Sequence, residues 1–248
     1  MKRTLKGKME VGGAVLEYDK IEGESPGVFF LGGFNSCRAG EKGNALYDLC
    51  EREGRSFLRF DYSGHGCSGG DFSASTIGKW KSEALTVFDR FTEGEQIVVG
   101  SSMGGWLALM LASERRERVR ALVAVAPAPD FTEELIRKKL TPEARRILEG
   151  GGRIPILPDG AKEPVFISRE FLEEAREHLL AGKTLELSCP VHFLHGQCDF
   201  HVPPEFSIRT LRSITAPETA LELIKGGDHR LSRPENLRVI LERVKAFF

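Results

Sequence analysis

The sequence predicts an α/β fold with a mostly parallel central sheet and helices on both faces. Short apolar runs suited to buried strands alternate with helical patterns along most of the chain. The runs are rich in β-branched and aromatic residues and show no polar alternation, as expected for strands covered on both sides. One segment, 127–188, breaks the alternation. The 248 residues suit one large domain over 1–248, and the interrupting segment reads as a lid insertion within it.

A hairpin from Leu5 to Tyr18 is expected to add antiparallel strands at one edge. The buried strand runs are 28–31, 56–60, 96–100, 121–125, 191–195 and 220–224. Helical patterns cover 44–52, 75–91, 104–113, 205–213 and 235–248. In the second of these Trp80, Ala84, Val87 and Phe88 recur at three- and four-residue steps, the stripe of a helix with one buried face. The segment 104–113 is apolar all round, so it is expected to be buried. Within 127–188 no strand is evident. Helices are expected over 133–140, 142–149 and 169–180, with Gly150, Gly151, Gly152 and a proline-rich stretch (Pro155, Pro158, Pro164) between them, which makes the insertion a helical lid.

Composition excludes several classes. Lys plus Arg number 35 against 36 Asp plus Glu, so no basic face for nucleic acid is implied. No run approaches the roughly 20 apolar residues of a membrane span. The first residues are basic but lack the apolar stretch of a secretory signal. Five cysteines without close pairs argue against a disulfide framework and for a reducing compartment, so a cytoplasmic location is expected. Neither CxxC nor HExxH occurs, and no metal or cofactor is expected. Oligomeric state has no signal.

The chemistry centres on Gly100-Ser101-Ser102-Met103-Gly104, a G-x-S-x-G pattern placed between a strand and a helix. A serine on such a turn stands on a strained backbone above the carboxyl end of the sheet, with the helix N-terminus facing any developing negative charge. Ser102 is therefore the candidate nucleophile. It needs a base, and His229 lies in Gly226-Gly227-Asp228-His229-Arg230, on the loop between the last strand and the last helix. His192 and His195 sit in a strand run and read as packed or structural, His178 reads as solvated, and His65 and His201 are secondary candidates. The base needs an acid to orient it. Asp199 follows the strand 191–195, while Asp228 is adjacent to His229, where side chains on an extended loop diverge. Asp199 is the better candidate.

Acyl transfer also requires donors for an oxyanion. One is expected from the amide of Met103, after the nucleophile. The second is expected from the loop Leu31-Gly32-Gly33-Phe34-Asn35-Ser36, at the Phe34 amide, with Asn35 next. Gly64-His65-Gly66-Cys67-Ser68-Gly69 matches the dinucleotide pattern G-x-G-x-x-G, but no helix opens at its last glycine, so nucleotide binding is not expected. Cys67 and Cys198 lack an activating helix N-terminus and read as structural, and Trp80 and Trp106 read as core.

Together the 100–104 turn, the loop 61–68, His195-Gly196-Gln197-Cys198-Asp199 with Val202-Pro203, and Gly227-Asp228-His229 resemble the α/β-hydrolase superfamily over nearly the whole chain. Three separated blocks, Phe60-Asp61-Tyr62-Ser63-Gly64, Ser75-Thr76-Ile77-Gly78-Lys79-Trp80 and Val99-Gly100-Ser101-Ser102-Met103-Gly104-Gly105-Trp106, with Asp228-His229-Arg230, resemble its branch holding the mitochondrial palmitoyl-protein thioesterase, which also acts as an acyl-glucuronide esterase. The resemblance implies a Ser102, Asp199 and His229 triad, an acyl-enzyme, and a small-molecule or acylated-protein ester or thioester as substrate. Two alternatives stay open. The same triad could act on a carbon–carbon or peptide bond, or the scaffold could serve a non-catalytic binding protein.

Overall fold

The computed structural model describes residues 4–248, so the basic residues 1–3 lie outside the described residues. The chain opens with a hairpin of β1 (Thr4–Val11) and β2 (Ala14–Ile21), turning at Gly12 and Gly13, both at positive φ. Then follow β3 (Glu24–Leu31), α1 (Glu41–Glu53), β4 (Arg55–Phe60), α2 (Ile77–Phe91), β5 (Gln96–Ser101), α3 (Met103–Glu114) and β6 (Val119–Val125). The interrupting segment carries α4 (Pro142–Glu149), β7 (Arg153–Ile156), β8 (Val165–Ser168), α5 (Arg169–Glu174) and β9 (Leu185–Glu186). The chain returns with β10 (Val191–Gly196), α6 (Glu205–Arg212), β11 (Ile214–Thr215), β12 (Thr219–Ile224) and α7 (Pro234–Lys245).

Eight strands form one sheet in the order β1-β2-β4-β3-β5-β6-β10-β12, parallel from β4 onward, with β2 antiparallel to both its neighbours. The pleat explains the continuous apolar runs, because successive residues of each strand supply opposite faces. Phe29, Leu31, Val98 and Ala124 join Trp80, Phe88 and Trp106 of α2 and α3 on one side. Val28, Phe30, Ile97, Val99 and Val123 join Leu46 and Leu49 of α1 and Ile240 and Val244 of α7 on the other. Each Val, Leu, Ile or Phe side chain so removed from water stabilises the fold by about 1.5–3 kcal/mol before entropy is counted. α3 lies between the sheet and the insertion with both indole-sized and small residues fully buried, which accounts for its all-round apolar sequence. α2 begins where the Thr76 hydroxyl accepts the Lys79 amide at 3.1 Å.

The insertion departs from the helical expectation. The stretch expected as one helix over 133–140 is a wide turn, Thr132–Ile136, followed by a tight one, Arg137–Lys139. α4 matches, capped by the Thr141 hydroxyl with Pro142 in its first turn. The correction is three short strands where none was expected: β9, which pairs with β11, and β7 with β8, which form an antiparallel two-stranded ribbon. Its strands have four residues each, and Pro155 sits inside one. A two-stranded ribbon leaves an outer edge on each strand, so the missing proline N–H costs no ladder bond there. The helix expected over 169–180 ends earlier, in a tight turn at Ala175–His178. Among the described residues no helix is long and apolar enough to cross a membrane.

Candidate active site

At the carboxyl end of β5 the backbone reverses into α3 through Ser102, held at φ 55° and ψ −118°. That is a conformation an L-residue adopts only under constraint. Its amide donates to the Val125 carbonyl at 2.9 Å, and its carbonyl accepts from Gly105 at 2.9 Å and Ala128 at 3.1 Å. A side chain at Gly104 would collide with the Leu31 and Gly32 carbonyls, and one at Gly100 with the Gly104 carbonyl. Both glycines therefore allow β3, the turn and α3 to close on one another.

Three predicted side chains meet here. His229 Nε2 lies 3.1 Å from Ser102 Oγ, and His229 Nδ1 lies 2.7 Å from Asp199 Oδ2. With Nδ1–H donating to the carboxylate, Nε2 is left to accept the serine proton. Asp199 also accepts the amides of His201 at 3.0 Å and Val202 at 2.8 Å on its other oxygen. Burial opposes its ionisation, but hydrogen bonds from His195 and His229 hold the carboxyl well below the usual carboxylate range. Asp228 faces elsewhere and accepts the Leu231 amide at 2.9 Å.

The two expected oxyanion donors are positioned differently. The Met103 amide opens α3 beside Ser102, and the Phe34 amide lies on the loop after β3; among the described residues neither donates to a protein acceptor. That loop passes directly by the nucleophile, since a Cβ on Gly33 would lie 3.4 Å from Ser102 Cβ. The Asn35 amide, the other candidate donor, is committed to His65 Nε2 at 3.1 Å. The His65 ring therefore carries its proton on Nδ1, facing the Ser63 carbonyl at 3.2 Å. The same carbonyl accepts the Trp80 indole N–H at 3.1 Å, and the Ser63 amide donates to Glu83 at 2.9 Å. Burial pushes the His65 imidazole down to about 4, against a weaker opposing effect of the Ser63 carbonyl. The far end of the loop is tied by Arg38 to Asp61 and Glu17. The glycine-rich segment around His65 thus braces the loop after β3.

Two histidines had more to offer than the sequence signals. His195, expected to be packed in its strand, is fully buried with Nε2 3.1 Å from Asp199 Oδ2. Its four-residue spacing from Asp199 across the turn after β10 was the available clue. His178, expected in solvent, is partly buried: its ring meets Glu174 at 2.9 Å and its carbonyl accepts the Trp106 indole at 3.2 Å. His201 lies near the site on the surface, 3.2 Å from Asp159 of the insertion.

A pocket of about 880 Å³ opens over Ser102 and His229. Phe34, Phe131, Ile136, Leu140, Ile154 and Ile156 give it apolar walls, mostly from the insertion. Glu41, Lys42 and Arg230 line it as well. Burial pulls the Lys42 ammonium down to about 8, with Glu41 opposing, and its Nζ donates to the Arg230 carbonyl. Among the described residues no group of three His, Cys, Asp or Glu side chains is arranged to hold a metal ion.

A family model for the alpha/beta hydrolase fold matches residues 27–170. The chain is 36% identical over 227 residues to the mitochondrial palmitoyl-protein thioesterase ABHD10 of Mus musculus, covering 91% of this chain and 76% of that protein. A crystal structure of a protein from Agrobacterium vitis S4 superposes with a TM-score of 0.90 at 34% identity, covering 100% and 99% of the two chains. The solved structure of alpha/beta hydrolase domain-containing protein 10 from mouse gives a TM-score of 0.88 at 32% identity over 98% and 97%. The name of the mouse thioesterase places that protein in the mitochondrion, at odds with the cytoplasmic location expected here from composition.

Proposed function

The chain belongs to the α/β-hydrolase family and is a hydrolase, and from that premise we propose that it cleaves a carboxylic ester or thioester through an acyl-enzyme on Ser102. The observation that carries this reading is the unbroken hydrogen-bond path from Ser102 through His229 to Asp199, at 3.1 and 2.7 Å.

In this mechanism His229 Nε2 takes the Ser102 proton as the oxygen attacks the acyl carbonyl. The carbonyl π electrons move to oxygen, and the amides of Phe34 and Met103 receive the charge. As the tetrahedral centre collapses, the bond to the leaving oxygen or sulfur breaks and His229 returns the proton to it. Water then repeats the attack on the acyl-enzyme with His229 again as base, releasing the acid and Ser102. Asp199 stays ionised and steadies the imidazolium throughout. The low proton affinity of its carboxyl supports that role.

Residues 127–188 act as a lid insertion within a single hydrolase domain in this reading, and their apolar walls receive the acyl chain. The similarity to a palmitoyl-protein thioesterase supports a small-molecule or acylated-protein substrate. A fluorophosphonate should label the wild type and spare Ser102→Ala, and a series of p-nitrophenyl esters and acyl thioesters of increasing chain length defines the substrate. Turnover retained by Ser102→Ala refutes the proposal.

A further inference from the structure

His195 is fully buried at the end of β10, yet every polar atom of its ring is engaged. Nδ1 lies 2.7 Å from the Ser207 hydroxyl on α6, and Nε2 lies 3.1 Å from Asp199 Oδ2 and 2.8 Å from the Val202 carbonyl. The carboxylate and carbonyl can only accept, so Nε2 carries the hydrogen and Nδ1 accepts from the Ser207 hydroxyl. One carboxylate oxygen thereby serves two imidazoles, because His229 Nδ1 reaches the same Oδ2 at 2.7 Å. Ordinary strand packing would call for an apolar side chain at this position, since a buried ring with two polar atoms is costly unless both are paired.

We propose that His195 is a positioning residue: anchored by Ser207 and Val202, its Nε2–H fixes the rotation of the Asp199 carboxylate and draws off part of the charge that would otherwise act on His229. This rests on the reading of Asp199 as the acid of the catalytic path. With its Oδ1 held by two loop amides and its Oδ2 by His195, the carboxylate stays aimed at His229 Nδ1 while the imidazole gains and loses a proton. Withdrawing the His195 donor leaves Oδ2 with a single partner. It then binds a protonated His229 more strongly, and the carboxylate is freer to turn.

The charged neighbours of the pair are accounted for. His201, with its ring 6.0 Å from that of His229, pairs with Asp159; Asp228 caps the Leu231 amide; Arg230 pairs with Glu41; Lys42 donates to the Arg230 carbonyl. None of these is bonded to His195 among the described residues, so of the charged groups around His229 its removal acts directly on the acid alone.

The test compares His195→Asn and His195→Gln in the full chain, using p-nitrophenyl octanoate and expressing kcat per fluorophosphonate-reactive site. The Gln amide nitrogen can reach the position of Nε2, whereas the shorter Asn amide reaches only that of Nδ1 and keeps Ser207 without touching Asp199. The expected result for Asn is a kcat lower by about ten- to a hundredfold, the rate equivalent of one hydrogen bond to a charged group. KM should stay within about twofold, and the acid limb of kcat/KM should move to higher pH. Gln should recover most of kcat and the original limb. A merely structural role would lower the melting temperature of both variants and leave the limb in place. Wild-type kcat with an unmoved limb in Asn, or a Gln variant as impaired as Asn, overturns the proposal. Asp199→Asn runs beside them: if it retains turnover, the assignment of the acid itself is wrong, whereas its loss beside an unaffected His195→Asn removes only the role of His195.

Discussion

The edge of the sheet that carries Ser102 and the insertion that faces it are held by different interactions. At the edge, side chains are set by directional polar contacts: His229 on Asp199, His195 on Asp199, His65 on the Asn35 amide, Arg38 on Asp61. The insertion has a stem and a tip. Its stem is bolted down where the Asp130 carboxylate accepts the Leu180 and Ala181 amides at 2.8 and 2.7 Å, and where Glu174 accepts the Gly78 amide at 2.9 Å. Its tip, from Leu140 to the loop after β7, meets the pocket with apolar surface and leaves Leu157 63% exposed. Polar geometry tolerates displacements of tenths of an ångström, whereas apolar contact depends on area and shape. Substitutions at the edge should therefore change the rate for every substrate, and substitutions at the tip should change which substrate is preferred.

The sharpest contrast comes from the edge. Asp199→Asn should lower kcat by about 10⁴-fold for short and long acyl chains alike, because the imidazole loses its tautomer and its counter-charge. A loss confined to one chain length would break the comparison.

His65 comes next. Replacing it with Leu withdraws the acceptor that holds the Asn35 amide beside the Phe34 amide. The expected loss in kcat is about tenfold to a hundredfold, somewhat less than removal of an oxyanion donor itself, with KM little changed. The same residue makes a prediction about stability. With its folded value near 4 and its unfolded value near 6.5, His65 takes up a proton more readily in the unfolded chain. Stability should therefore fall as pH drops from about 6.5 to about 4, by about 3 kcal/mol from this group. His65→Gln should flatten the melting temperature across that window; an unchanged slope would show the ring is not held neutral.

Substitution at the tip should act on selectivity. Ile156→Trp narrows the pocket without touching Ser102 or His229. Kinetics on acetyl and palmitoyl substrates should show roughly equal acetyl turnover and about a tenfold loss for the long chain, the scale of a few methylene contacts. The smallest effect belongs to Asp159→Asn, which removes the charge from the partly exposed contact with His201 between edge and tip. Such pairs contribute about 0–1 kcal/mol, so kcat/KM should stay within about twofold.

This division also explains what could be read from the sequence. The sheet strands are local patterns, and so is the strand–turn–helix setting of Ser102, because a run of Val and Ile followed by Gly-x-Ser-x-Gly carries its own context. The β7 and β8 ribbon is not such a pattern. Four-residue strands containing Pro155 resemble any proline-rich loop, and only pairing with each other makes them strands. His195 and His65 escaped for a related reason. His65 is defined by Asn35, thirty residues away, and His195 is anchored by Ser207 on the following helix; a single sequence shows neither pairing, and the four-residue spacing of His195 from Asp199 is legible only once Asp199 is taken as the acid.

The Ser102 turn has a consequence for anyone exchanging the insertion with that of a relative. Its amide is bonded to Val125 and its carbonyl to Ala128, so the first residues leaving β6 are also the walls of the nucleophile turn. A transplanted segment spliced at the end of the strand would dismantle the serine's own scaffold. A seam placed beyond Asp130, and closed before Glu174, keeps the serine's scaffold and the polar ties of the stem and turns the tip into an interchangeable module.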